Sequence, residues 1–360
     1  MHTPILTFYT PHHSGHAPRI EQLHGRNVPY FETPRRVDVL RDALYDANLI
    51  DIREPQERIS VETLSRTHSR AMINHLKYLS EHVDELVRED FAVYGMEHVM
   101  TGDEYYYESI FPTQMMRRAA VSELSKNQRG FFIFDNTGPV GPGTWGAIVY
   151  SATLAYEGAR ALLSGEDRVY AMCRPPGHHA GRTFAGGYCF FNNAGVAANV
   201  LRSRGKVAIL DIDYHHGNGT QAIFWDDPGV LYVSIHADPA VDYPYYAGFA
   251  DETGGEAAEG LTINYPLPHG TDEADYLLTL NRALDDIRQY EPAALIVSLG
   301  FDTIEGDPMA RFRLNVDSYA RLGALVAGLG LPTLYVQEGG YFVDKLGDMA
   351  VSFFNGVVGG

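Results

Sequence analysis

Two cysteines in 360 residues, Cys173 and Cys189, are too few for a disulfide framework, and their separation fits neither a CxxC redox pair nor a zinc-finger spacing. A reducing compartment is the simpler reading. Positive charge is also short: 28 Lys and Arg stand against 46 Asp and Glu, a formal charge of −18. A duplex-binding surface exchanges condensed counterions for Lys and Arg, and no local basic stripe offsets the deficit here. Nucleic acid is therefore excluded as the default partner, and cationic ligands are favoured. Long apolar runs are missing too. The stretch Met1 to His13 has no basic segment and too short an apolar run for a signal peptide, and Pro332 interrupts the longest apolar stretch, Leu322 to Val336. A cytoplasmic protein with no membrane role is expected. There is no internal repeat, and 45% hydrophobic with 21% charged residues is the balance of an ordinary globular enzyme. One domain over residues 1–360 is expected, because α/β domains routinely outgrow the mean of roughly 150 residues.

What is present is an alternation. Short β-branched runs bounded by Gly, Pro or polar clusters predict buried strands at Ile5 to Tyr9, Arg168 to Cys173, Lys206 to Asp211, Val230 to His236, Ala293 to Leu299 and Thr333 to Gln337. Between them the 3.6-residue period predicts helices at Thr33 to Asn48, with Thr33 as cap, and at Thr144 to Leu163, Asn193 to Arg204, Asp272 to Tyr290 and Val316 to Leu329. Such an order needs crossovers, hence an α/β fold with a mainly parallel sheet, helices on both faces, and ligands at the carboxyl ends of the strands. The segment 83–136 breaks the rhythm with its run Asp103 to Glu108 and adjacent Met115 and Met116, and reads as an insertion over one end of the sheet.

The strongest chemical signal is Val207-Ala-Ile-Leu-Asp211-Ile-Asp213-Tyr-His215-His216-Gly-Asn218-Gly. Alternate strand residues share a direction, so Asp211, Asp213 and His215 project together from a buried strand end, and such carboxylates are normally paired or metal-bound. His216 faces the other way and reads as a core histidine. A second apolar strand ends in Gly300-Phe301-Asp302, which adds a third ligand to Asp213 and His215. Three protein ligands suit a catalytic metal that keeps a position for water or substrate, and the oxygen-rich set admits Zn2+, Fe2+, Mn2+ or Co2+. A third strand leads into Arg174-Pro-Pro-Gly-His178-His179-Ala-Gly181, where paired histidines supply a base and an acid beside activated water. The fourth leads into Glu338-Gly-Gly-Tyr341, a turn able to aim a phenol at an oxyanion.

Together with Pro142 to Trp145 (PGTW) and Gly186 to Asn193 (GGYCFFNN), these segments resemble the arginase-deacetylase superfamily, and within it the zinc-dependent histone deacetylases and acetylpolyamine amidohydrolases. The resemblance implies a single arginase-like domain, zinc on Asp213, His215 and Asp302, and a transition state steadied by Tyr341. It implies that Asp211 orients His178 and shares a monovalent cation, K+, with Asp213, His215 and Ser234. Asn218 stands where some deacetylases have an aspartate behind the second histidine, so His179 is expected to be less basic here than in those enzymes. Either histidine fits as general base.

Tyr188 resembles the aromatic wall that grips the substrate's methylene chain, with Tyr243, Tyr245 and Tyr246 near its mouth. Glu21 matches an acidic rim position, and the stretch Glu21 to Pro34 resembles the amidohydrolase branch. There the insertion caps a partner's tunnel, which implies a homodimer or higher oligomer that admits slim acetylated amines. Lys126 and Thr137 stand where polyamine-selective members carry acids, with Asp135 nearby, which shifts the expectation toward shorter or less charged amines. The alternatives are a class II-like protein lysine deacetylase and a catalytically silent acetyl-ligand binder; the complete set of His178, His179, Asp213, His215, Asp302 and Tyr341 argues against the latter.

Overall fold

The computed structural model describes residues 3–23, 25–93, 105–108, 111 and 130–359. Its strands, in chain order, are β1 Ile5–Phe8, β2 Ile20–Leu23, β3 Arg26–Pro29, β4 Ile50–Arg53, β5 Arg168–Ala171, β6 Val207–Asp211, β7 Val230–Ala237, β8 Thr262–Leu267, β9 Ala294–Leu299 and β10 Thr333–Gln337. Eight of them form one sheet in the order β4-β1-β5-β10-β9-β6-β7-β8, and every neighbouring pair is parallel. The six expected strands are all present. They are the central six, whose near-continuous apolar runs follow from burial on both faces. The two unpredicted sheet strands, β4 and β8, are edges, half-exposed and correspondingly mixed in sequence. β2 and β3 form a separate antiparallel hairpin.

Alternation along β6 shows how the sheet is sandwiched: Ala208 and Leu210 face one core, Val207 and Ile209 the other. The first core is roofed by α1 Arg35–Asp46, α7 Glu273–Tyr290, α8 Val316–Ala327 and α9 Val343–Gly359, the second by α4 Thr144–Leu163 and α5 Asn193–Leu201. Asp272 caps α7 through its carboxylate, and Asn315 forms a capping box on α8. Thr33 does not cap α1. The helix starts at Arg35 behind Pro34 with no side-chain cap, while the Thr33 N–H turns back onto the Phe31 carbonyl.

The helices α2 Val61–Leu64, α3 Arg70–Val93 and α6 Asn218–Phe224 complete the set. The start of the expected insertion is the end of α3, where Val83 and Leu86 pack into a third core with Tyr106, Phe132, Ile133 and Val140. Lys126 and most of residues 94–129 lie outside the described residues. Among the described residues no helix is long and apolar enough to cross a membrane.

Candidate active site

The strands β5, β10, β9 and β6 are immediate neighbours, so their carboxyl ends bring the four sequence signals to one edge of the sheet. Asp211, opposite Ser298 in register, ends β6, and the chain beyond it delivers Asp213 and His215 against Asp302 from the end of β9. The ligand atoms of Asp213, His215 and Asp302 lie within 4.8 Å of one another, and all three residues are buried. His215 Nδ1 is 3.3 Å from both Asp213 Oδ1 and Asp302 Oδ2. Backbone N–H groups use the remaining acid positions: Tyr214 donates to Asp302 Oδ1 at 2.9 Å and Gly339 to Asp213 Oδ2 at 2.8 Å. Asp302 Oδ2 is buried without a hydrogen bond. Burial first, then the charge of Asp213, pushes the Asp302 carboxyl up. Two buried carboxylates crowded onto one imidazole, with one oxygen left free, are a donor set that a divalent cation fits. The close approach needs glycine: a Cβ on Gly300 would overlap the Asp213 carboxylate, and one on Gly339 would overlap that of Asp302.

His178 and His179 follow β5 on a loop whose N–H groups at Gly177 and His178 donate to Glu338 Oε2, at 2.7 and 3.2 Å. His178 Nδ1 lies 3.1 Å from Asp211 Oδ2 and must donate to it, since a carboxylate only accepts. Burial opposes charge on this ring, but Asp213 and then Asp211 outweigh it and raise its pKa to about 10. His179 Nδ1 lies 2.8 Å from Asn218 Oδ1. An amide oxygen also only accepts, so Nδ1 carries the proton and Nε2 keeps its lone pair. Burial, followed by the charges of His178 and His215, holds His179 well below the usual histidine range.

A cavity of about 370 Å³ opens above these residues, lined by His179, His215, Tyr188, Tyr243, Met309 and Tyr341 among others. Tyr188 takes a left-handed backbone conformation at φ 65°, next to Gly187 at φ 56°. Asp135 holds that turn: it accepts from Gly187 N at 3.1 Å, from Thr137 Oγ1 at 2.8 Å and from the Tyr243 hydroxyl at 2.7 Å. One carboxylate thus ties two aromatic walls together. The Tyr243 ring stands edge-on to His179, with centroids 5.0 Å apart. Tyr341 is anchored from behind by Arg36, whose guanidinium lies 4.8 Å over its ring and donates to the carbonyls of Gly340 and Glu338.

Two expectations change at this level. Glu21 is buried in β2, 1% exposed, and does not line the cavity; the hairpin folds it inward and burial pushes its carboxyl up to about 7. Tyr245 reaches the cavity mouth, but Tyr246 is 92% exposed and does not line it. His216 is buried against Gln221 as a core residue, as read. Ser234 lies opposite Asp211 on β7 and pairs its hydroxyl with His236 at 2.8 Å. Sequence reasoning missed Glu338, Asp135 and Arg36. Glu338 had a visible signal, an acid at a strand end before two glycines, whereas Arg36 acts on a carbonyl 304 residues away.

Comparisons with known proteins identify the family. The histone deacetylase domain profile matches residues 30–357. The chain is 40% identical to acetylpolyamine amidohydrolase 2 of Pseudomonas aeruginosa, covering 99% of each, and 36% identical to acetylpolyamine amidohydrolase of Mycoplana ramosa, covering 95% of this chain and 96% of that one. It superposes on the crystal structure of acetylpolyamine aminohydrolase from Burkholderia pseudomallei with a TM-score of 0.90 at 38% identity, covering 98% of both. The match spans the sheet, the paired histidines and the buried acid cluster alike, and the chain belongs to the histone deacetylase domain family.

Proposed function

We propose that this protein is a metal-dependent amidohydrolase that removes acetyl groups from small N-acetylated amines, releasing acetate and free amine. The observation that carries this reading is the juxtaposition of Asp213, His215 and Asp302 with His179 in the lining of an aromatic-walled cavity. Asp213, His215 and Asp302 would hold a divalent cation, zinc by resemblance, which when bound supplies Lewis acidity to the amide carbonyl and to water. The other steps belong to the chain. His179 Nε2 takes the proton of the attacking water and returns it to the departing nitrogen, because His179 lines the cavity and His178 does not. His178 is held by Asp211, to which its Nδ1 donates at 3.1 Å, and packs beside His179. The Tyr341 hydroxyl donates to the developing oxyanion. Among the described residues Asp211 Oδ1 accepts only from Asp213 N, at 3.2 Å, which leaves a lone pair for a monovalent cation, K+ by resemblance, shared with Asp213, His215 and Ser234.

The substrate reading is narrower than the polyamine class of the relatives' names. Among the described residues at the mouth, Asp242 is already bonded to Tyr214 and His269, and Arg311 opposes a second ammonium group. Asp135 is used up by its three partners. Slim acetylated diamines such as acetylputrescine and acetylcadaverine fit better than a multiply charged polyamine tail. For the assembly we propose a homodimer in which the 83–136 segment covers the partner's cavity; light scattering should give twice 39.9 kDa. The functional test is acetate release across acetylated diamines, acetylspermidines and an acetyl-lysine peptide. Highest kcat/KM on the diamines is expected. Preference for the peptide would favour a protein lysine deacetylase, and no acetate from any of them would leave a binding protein.

A further inference from the structure

We propose that Asp307 is a positioning residue for Tyr341, clipping the turn that carries the phenol to the Met309 segment of the cavity wall. The inference rests on Tyr341 acting as the oxyanion donor. Asp307 Oδ2 accepts from two successive N–H groups, those of Tyr341 at 2.7 Å and Phe342 at 3.0 Å. Its Oδ1 accepts from Met309 N at 2.8 Å. The side chain is buried, 3% exposed, and does not line the cavity, so it touches no substrate.

The need for a clip follows from the turn itself. Tyr341 comes after Gly339-Gly340, with Gly340 at φ 115°, a segment with little stiffness of its own. Two adjacent N–H groups aimed at one carboxyl oxygen fix the two peptide planes that flank the Tyr341 Cα, and with them the direction in which the tyrosine leaves the backbone. Arg36 holds the carbonyl of the preceding residue at 2.5 Å, so the turn is gripped on both sides. The other end of the clip is functional as well: Met309 packs against Tyr30, Tyr188 and Tyr341 and lines the cavity. A single carboxylate therefore sets the distance between the oxyanion donor and the wall that positions the substrate. Displacement by about 1 Å at such a site costs on the order of 100-fold in rate.

The test is Asp307→Asn, made alone and in a Tyr341→Phe background. The amide is nearly isosteric, but its NH2 must face either the Tyr341 and Phe342 pair or Met309, so half of the clip is lost. In the parent background kcat should fall by about tenfold or more with KM changed less than about threefold. In the Tyr341→Phe background the further loss should be under twofold, because the hydroxyl being aimed is gone. Additive losses would overturn the proposal, as would an unchanged kcat in the single variant. If Tyr341→Phe alone keeps full turnover, the oxyanion reading fails instead. A crystal structure of Asp307→Asn then judges the clip by itself: a shifted Tyr341 ring supports it and an unmoved ring refutes it. Should Asp307→Asn prove insoluble, Asp307→Ser is carried through the same cycle. Failure of both to fold would also overturn the proposal, which puts the role of Asp307 in two loops and not in the core.

Discussion

Replacing Asn218 with Asp changes one atom in the partner of His179 and reverses the logic of that histidine. Asn218 Oδ1 is 2.8 Å from His179 Nδ1, at the first residue of α6, where the helix dipole favours a negative charge and keeps the new carboxylate ionised. In the parent protein burial and the charges of His178 and His215 hold His179 well below the usual range. As the base, His179 must be neutral, so the parent kcat/KM should stay flat on the acid side through pH 6.5. An opposite charge at contact distance raises a pKa by about one to three pH units, or about 1.4 to 4 kcal/mol in favour of the imidazolium. The sign follows directly: below the raised pKa the variant holds a protonated base, so kcat/KM is lost as pH falls, and the acid limb moves upward by that amount. The assay is acetate release from acetylputrescine between pH 5 and 9, with metal content measured at each pH to exclude ligand protonation. An acid limb that does not move, at constant metal content, would refute the assignment of His179 as base.

Tyr341→Phe keeps the ring packing and removes one oxyanion donor, and kcat should fall by about 10² to 10³, equivalent to about 2.7 to 4 kcal/mol, with KM little changed in steady-state assays. Tyr243→Phe frees the wall from Asp135, since the lost bond is its 2.7 Å anchor; KM for acetylated diamines should rise several-fold while turnover of an acetyl-lysine peptide rises relative to them. Glu32→Gln removes the negative charge shared by two fully buried guanidinium groups, Arg36 at 2.6 Å and Arg174 at 2.9 Å. Denaturant unfolding should report a loss of about 3 to 5 kcal/mol, the cost of leaving buried charge without its partner.

The sequence announced those parts of the molecule whose signals are local. The ladder from Asp211 to His215 was legible because a strand's two-residue period fixes direction, and Asp302 because a buried apolar run ends just before it. α4 has the predicted bounds, Thr144–Leu163, since its apolar period is sustained over 20 residues. β4 and β8 escaped because an edge strand needs no continuous apolar run, and the β2–β3 hairpin because its residues are mixed in character. The devices that aim the site are long-range. Asp307 reaches Tyr341 across 34 residues, Asp135 reaches Tyr243 across 108 and Arg36 reaches Gly340 across 304, and no periodicity encodes such pairings. Glu21, expected at the rim by resemblance, lies outside the cavity lining because the β2–β3 hairpin folds it inward.

Asp213, His215 and Asp302 are proposed to hold the divalent cation on which hydrolysis depends. The most direct test of this claim is reconstitution. The protein is stripped with a chelator and titrated with Zn2+, and in parallel with Co2+, while bound metal and acetate release from acetylputrescine are followed together. Activity should rise in step with binding and level off at one ion per chain, and folded Asp302→Ala should neither bind the ion tightly nor recover turnover. Full activity in the stripped protein, or stoichiometric metal in Asp302→Ala, would contradict the account.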